Sequence, residues 1–194
     1  MLPRSSALLL SVLLPLVAPS LDRASLRQLC HGEKELCYKK AEGGECFGSS
    51  LKAKVLQKQC ACSCDAVHHE RIQSCCKRVG EAEMKFCLPL CGYNSTVDSL
   101  HGSLGIKCVS QLTTWAYCAA DNNDCTPCCA ARGVPPECRS FCQGRVPTCD
   151  TESIFQYQGC LQHMGQIIAC QKEALGPLPR FDPDWSSSCD WEGK

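Results

Sequence analysis

Cys125-Thr126-Pro127-Cys128 places two thiols at the spacing that disulfide-exchange chemistry uses, in a chain where 21 of 194 residues are cysteine. Catalysis of that kind needs a cysteine of lowered pKa at the head of a long helix that follows a strand. Neither a strand nor a βαβ pattern precedes Cys125, so the tetrad reads as part of a bridge framework. His68, His69 and Glu70, near Cys60, Cys62 and Cys64, suggest zinc chemistry. Thiolate ligands compete badly with oxidation outside the cell, and adjacent histidines on a helix point about 100° apart. The expectation is therefore no metal and no cofactor, with the histidines in a solvated first turn leading into Cys75. A hydrolase would need a nucleophile, a base and an orienting group. No GxSxG occurs and the chain holds 5 histidines, so an enzyme is not expected. Gly144 to Thr148, between Cys142 and Cys149, is the best candidate for a protease-inhibitor loop, with Arg145 as its specificity residue.

The elements that must carry these residues belong to an exported protein. Arg4, the apolar stretch Ala7 to Ala18, and small residues Ala18 and Ser20 at a cleavage site make residues 1–20 a signal peptide. The apolar run is shorter than a membrane span and is interrupted by Pro15. The remaining chain has 19 basic and 20 acidic side chains. That balance gives no field for nucleic acid, and no segment suits membrane insertion. Leu, Ile, Val and Phe together supply only about 31 of the mature residues, a lean core that needs covalent support.

That support is arranged twice. Cys75 and Cys76, then Cys87, Cys91, Cys108 and Cys118, match Cys128 and Cys129, then Cys138, Cys142, Cys160 and Cys170. The intervening gaps are 10, 3, 16 and 9 residues in one half and 8, 3, 17 and 9 in the other. Gly80 and Gly133 hold the same register in CCKRVG and CCAARG. Thr126 and Pro127 predict a helix start and Gly133 a left-handed stop, giving a short helix over 127–132. Neighbouring cysteines on a helix diverge, so each member of a pair should find a different partner. Cys87 with Cys91, and Cys138 with Cys142, are four apart and predict one helical face. Cys108, Leu112, Trp115 and Cys118, like Cys160, Met164, Ile167 and Cys170, predict a buried stripe about 120° wide on each closing helix. No sustained two-residue alternation supports strands. The fold class is all-α, a small disulfide-rich helical domain of two pseudo-symmetric half-repeats. Its expected bounds are 66–179, with halves 66–122 and 123–179, preceded by a stapled segment 21–65 and followed by a flexible tail 180–194.

The stretch from Cys75 to Pro179, including FCLPLCGYN and DNNDCTPCCAARGVPPECRSFCQG, resembles the DB module, a cysteine-rich domain of invertebrate secreted and cell-surface proteins. The resemblance implies twelve cysteines in six bridges, an extracellular setting, and no catalytic residues to transfer. Cys125 and Cys149 are surplus to that pattern. Six further cysteines, Cys30, Cys37, Cys46, Cys60, Cys62 and Cys64, faintly resemble a small ShKT toxin-like module, although the ending QCACSC departs from it. They form either that module or an unclassified cap of three bridges. Twenty-one cysteines cannot all pair in one chain. Cys125 and Cys149 are expected to bridge each other, which leaves Cys189 free or linking two chains in a disulfide-bonded dimer. Asn94-Ser95-Thr96 is a glycosylation sequon. The expected role is a secreted interaction or structural module contacting an extracellular protein or matrix component. A soluble signalling or toxin-like effector is the alternative, and a protease inhibitor follows it.

Overall fold

Asp22 and Ser50 carry short acceptor side chains ahead of stretches without proline or glycine, and each starts a helix. In the computed structural model, residues 21–80, 84–96, 107–146 and 157–187 are described. Asp22 Oδ1 accepts from Ser25 N (2.9 Å) at the head of α1, Arg23–Leu29. Ser50 Oγ accepts from Ala53 N (3.2 Å) at the head of α3, Leu51–Gln59, and α2, Glu35–Glu42, lies between them. The longest helix, α4, is Ala61–Val79. Its start is satisfied from a distance, because the Glu33 carboxylate accepts from Cys62 N (2.9 Å), Ser63 N (3.1 Å) and the Ser63 hydroxyl. A carboxylate there pairs otherwise orphaned amides and complements the positive end of the helix dipole.

Two cores meet along α4. Leu26, Tyr38, Leu56 and Val67 pack around one set of bridges. Ile72, Trp115, Phe141 and Ile167 pack around the other. Cys64 and Val67 of α4 belong to the first, whereas Ile72, Cys75 and Cys76 belong to the second. The boundary expected at residue 65 therefore falls inside a continuous helix. Buried positions 64, 67, 68, 71, 72, 75 and 76 keep helical spacing straight through it, and no glycine or proline interrupts 61–79.

Downstream, α5, Met84–Cys87, runs into a 3-10 turn at Leu88–Leu90. A turn at Val109–Gln111 leads into α6, Leu112–Ala120, and α7 is Thr126–Ala131. Turns at Pro136–Cys138, Phe141–Gln143 and Gln158–His163 precede α8, Met164–Ala174. Among the described residues there is no strand, and the fold is all-α. The helical face expected to carry both Cys87 and Cys91 is absent. Cys87 ends α5 and Cys91 caps the 3-10 turn opened by Leu88-Pro89, while Cys138 and Cys142 sit in separate turns. Proline near the start of such a turn has no amide to continue an α-helical ladder.

The closing helices also differ from expectation. α8 keeps a stripe, with Met164, Ile167, Ile168 and Gln171 buried and Gly165 and Gln166 exposed. α6 has none, because every residue from Thr113 to Ala120 is buried. It packs against α4, the Phe141–Gln143 turn and α8. The chain after α8 covers its remaining side: the Trp185 ring stacks on Tyr117 with centroids 4.0 Å apart, and Asp182 N donates to the Tyr117 hydroxyl (2.7 Å). The first part of the expected flexible tail is thus docked through a π-stack and a hydrogen bond, neither of which leaves a periodic trace in sequence. Residues 188–194, with Cys189 and Trp191, lie outside the described residues.

Candidate functional site

The covalent framework is the dominant constellation. In the N-terminal segment Cys30 pairs with Cys62, Cys37 with Cys60, and Cys46 with Cys64, so the three bridges close on themselves without borrowing a cysteine from the rest. Beyond it, Cys75 pairs with Cys118, Cys76 with Cys91, and Cys87 with Cys108. The other half has the same scheme: Cys128 with Cys170, Cys129 with Cys142, and Cys138 with Cys160. Sequence separations of 43, 15 and 21 residues are matched by 42, 13 and 22. Each adjacent pair diverges from its helix, one sulfur reaching the closing helix and the other the middle turn.

Each pair-bearing helix ends at a glycine, for different reasons. Gly133 has φ +78°, with Val134 N donating to Cys129 O (3.0 Å) and Gly133 N to Ala130 O (3.1 Å), the paired bonds of a Schellman stop. Gly80 has φ −73° and is extended. A Cβ there would lie 2.4 Å from Cys76 O and 2.4 Å from Met84 Cγ, so close packing, not handedness, demands glycine. Thr126 is the first residue of α7 and not its cap. Asp124 Oδ1 takes the capping bond from Thr126 N (2.9 Å).

Cys125 departs from expectation. It is a buried free thiol, and Cys149, its expected partner, lies outside the described residues. Its Sγ donates to Cys142 O (3.0 Å), and burial pushes its pKa up to about 11. Packing has taken this sulfur inward against the Cys129–Cys142 bridge, away from solvent. Cys128 of the same tetrad is bonded to Cys170, so the two ends of CTPC have separate fates.

Charged residues that the sequence did not single out form the main polar node. Arg71, on α4, and Asp121, after α6, are buried together with Nη1 3.0 Å from Oδ2. Arg71 also donates to Gly176 O (3.2 Å) and Pro177 O (2.8 Å), and its guanidinium lies 4.6 Å from the Phe47 ring centroid. Asp121 Oδ1 accepts from Arg180 N (2.9 Å) and Phe181 N (3.1 Å). Burial pushes the Asp121 carboxyl up, opposed by those amides and by Arg71. The node ties the N-terminal segment, α4, α6 and the returning chain together. The sequence signal was weak: a polar run, Asp121-Asn122-Asn123, after an apolar helix, with φ +48° at Asp121 and +55° at Asn122.

The histidines are not in a solvated turn. His68 is mid-helix and 1% exposed, its Nε2 3.2 Å from Cys46 O and its ring edge-on to Phe47. Burial lowers its pKa to about 4. Cys60, Cys62 and Cys64 are all consumed by bridges, so their sulfurs are committed.

A model of the DB module family matches residues 75–171, half of the chain. The chain belongs to the DB module family. Both three-bridge halves lie inside that match, and residues 21–74, with the N-terminal bridges, lie outside it. No curated protein and no solved structure matches the chain. Within the DB module, Asn94 is exposed at a turn after Cys91, and Ser95 Oγ donates to Leu90 O (2.9 Å). Arg145 is exposed, and Pro147 and Thr148 of the expected inhibitor loop lie outside the described residues. Gly144 is left-handed at φ +67°, Arg145 N donates to Ser140 O (3.1 Å), and Val146 is buried with its carbonyl accepting from Thr113 Oγ1 (3.1 Å). A protease could not reach the bond after Arg145 without pulling Val146 out of the core.

Proposed function

We propose that this DB module protein is a secreted, disulfide-stapled interaction or structural module whose partner is an extracellular protein or matrix component. The observation that supports it best is the framework itself: nine bridges among the described residues, three of them closing a cap and six fixing two equivalent halves. A framework of that density forms and persists in an oxidising compartment. Among the described residues no helix is long and apolar enough to cross a membrane. Three buried ionisable groups are spent on structure, since Arg71, Asp121 and His68 each point at backbone or at one another, and no catalytic role is proposed for them. Exposed Asn94 serves as a glycan acceptor, and Cys189 as the link between two chains.

Expression of the full chain in a eukaryotic secretory host tests this. The expected product is extracellular, starts at Leu21, and loses mass on enzymatic deglycosylation unless Asn94 is changed to Gln. A non-reducing gel should show a dimer that Cys189→Ser converts to monomer. Retention inside the cell with reduced cysteines would contradict the reading. Insoluble deposition released only by reductant would mark a matrix role, and a freely diffusing monomer would favour a signalling or toxin-like effector.

A further inference from the structure

Cys125 stands where the first half carries Ile72: each lies three residues before its adjacent cysteine pair, and each is buried. Ile72 fills the core, with its carbonyl 3.6 Å from the Cys91 sulfur. In the second half the same place holds a nucleophile. The sulfurs of Cys125, Cys129 and Cys142 all lie within 4.8 Å of one another. The main chain holds the three residues together independently of their sulfurs, with Cys125 N donating to Cys142 O (3.0 Å) and Cys129 N donating to Cys125 O (3.0 Å).

We infer that this cluster is an internal thiol–disulfide exchange site, in which Cys125 takes Cys142 from Cys129. Cys125 Sγ gives its proton to solvent base and attacks Cys142 Sγ. The Cys125–Cys142 bond forms as the Cys129–Cys142 bond breaks, and the electron pair leaves on Cys129 Sγ, which takes up a proton. One disulfide and one thiol stand on each side, so no oxidant or reductant is consumed. Cys142 is the sulfur attacked because it faces Cys125 from another segment, whereas Cys125 and Cys129 are one helical turn apart with side chains running side by side. The bridges from Cys128 to Cys170 and from Cys138 to Cys160 are untouched, and the free thiol moves to the fully buried Cys129. The first half has no such device, since Ile72 carries no sulfur.

Asp124, in the thiol's own stretch, pushes its pKa up further, while Tyr93 of the first half, its own pKa raised by burial and by the thiolate, stays neutral and puts no charge on it. With the thiol held mostly protonated by burial, exchange is slow at neutral pH and gains about tenfold in reactive thiolate per unit of rising pH. The test holds the full-length secreted protein at pH 7 and at pH 9 without reductant, traps it with a maleimide in acidic guanidinium, and maps the bridges without reduction. The expected peptide joins Cys125 to Cys142 with the maleimide on Cys129. It should form about 100-fold faster at pH 9 than at pH 7, and should be missing from Cys125→Val and Cys125→Ala, where Cys129–Cys142 is retained. Maleimide on Cys125 with Cys129–Cys142 intact at both pH values would overturn the inference, as would Cys125 found bonded to Cys149 or Cys189.

Discussion

The two halves of the DB module share one bridge scheme and use it differently. In the first, the adjacent pair rides at the end of the 19-residue α4, and the closing helix α6 is buried on every side. In the second, the pair rides on the 6-residue α7, and the closing helix α8 keeps an exposed face. The bridge order fixes which segments meet, while burial is decided by what else arrives. α6 is enclosed by α4, by α8 and by the returning chain at Arg180 to Trp185, whereas among the described residues nothing comparable covers Gly165 and Gln166 of α8. In the shared register Ala116 on α6 takes the place of Ile168 on α8, while the larger Trp115 and Tyr117 take the places of Ile167 and Ala169.

Removing the equivalent long bridge from each half gives the largest contrast. Loops of 43 and 42 residues imply a similar loss for Cys75→Ala/Cys118→Ala and Cys128→Ala/Cys170→Ala, about 4 kcal/mol each from chain entropy. The first double variant should lose more in guanidinium unfolding, because it also loosens a helix packed on all sides. A larger loss from the second would break the comparison.

The upstream extension of α4, which α7 lacks, carries His68, and its contribution is read by acid. The folded pKa is lowered to about 4 from an ordinary 6.5. The unfolded chain therefore takes up the proton first, and stability falls as pH drops from 6.5 towards 4 and then levels. The expected loss is roughly 3 kcal/mol. His68→Gln should flatten this window, and an unchanged acid profile in that variant would assign the effect elsewhere.

The two stop glycines separate next. Gly80→Ala forces a methyl against a carbonyl and Met84 and should cost roughly 2 kcal/mol, whereas Gly133→Ala meets no atom within 4 Å and should cost about 1 kcal/mol for its left-handed backbone. Equal thermal shifts for the two would mean that Gly80 is not held by packing. The smallest effect is a gain: Gly165→Ala, on the open face of α8 with no neighbour within 4 Å, should stabilise by roughly 0.5 kcal/mol.

Local chemistry was legible from the chain. Helix start and stop signals, helical spacing and the lack of two-residue alternation gave the all-α class, and Gly133 followed by Val134 and Pro135 gave the end of α7. Contacts between distant segments were not. Arg71 and Asp121 are 50 residues apart, and Glu33 reaches 29 residues to cap α4. Neither pairing leaves a periodic trace. The burial of α6 depends on Trp185, which stands in a proline-interrupted stretch that reads as tail until its ring is seen on Tyr117. Cys125 was read by parity, which counts sulfurs without knowing that the core takes one as a small apolar residue in place of Ile72.

Mass-spectrometric mapping of non-reduced digests at acidic pH, where exchange is suppressed, bears most directly on the shared scheme. The expected bridges are Cys75–Cys118, Cys76–Cys91 and Cys87–Cys108 beside Cys128–Cys170, Cys129–Cys142 and Cys138–Cys160, with the three N-terminal bridges closed among themselves. A bridge joining the two halves, or a different pairing order in one half than in the other, would contradict it.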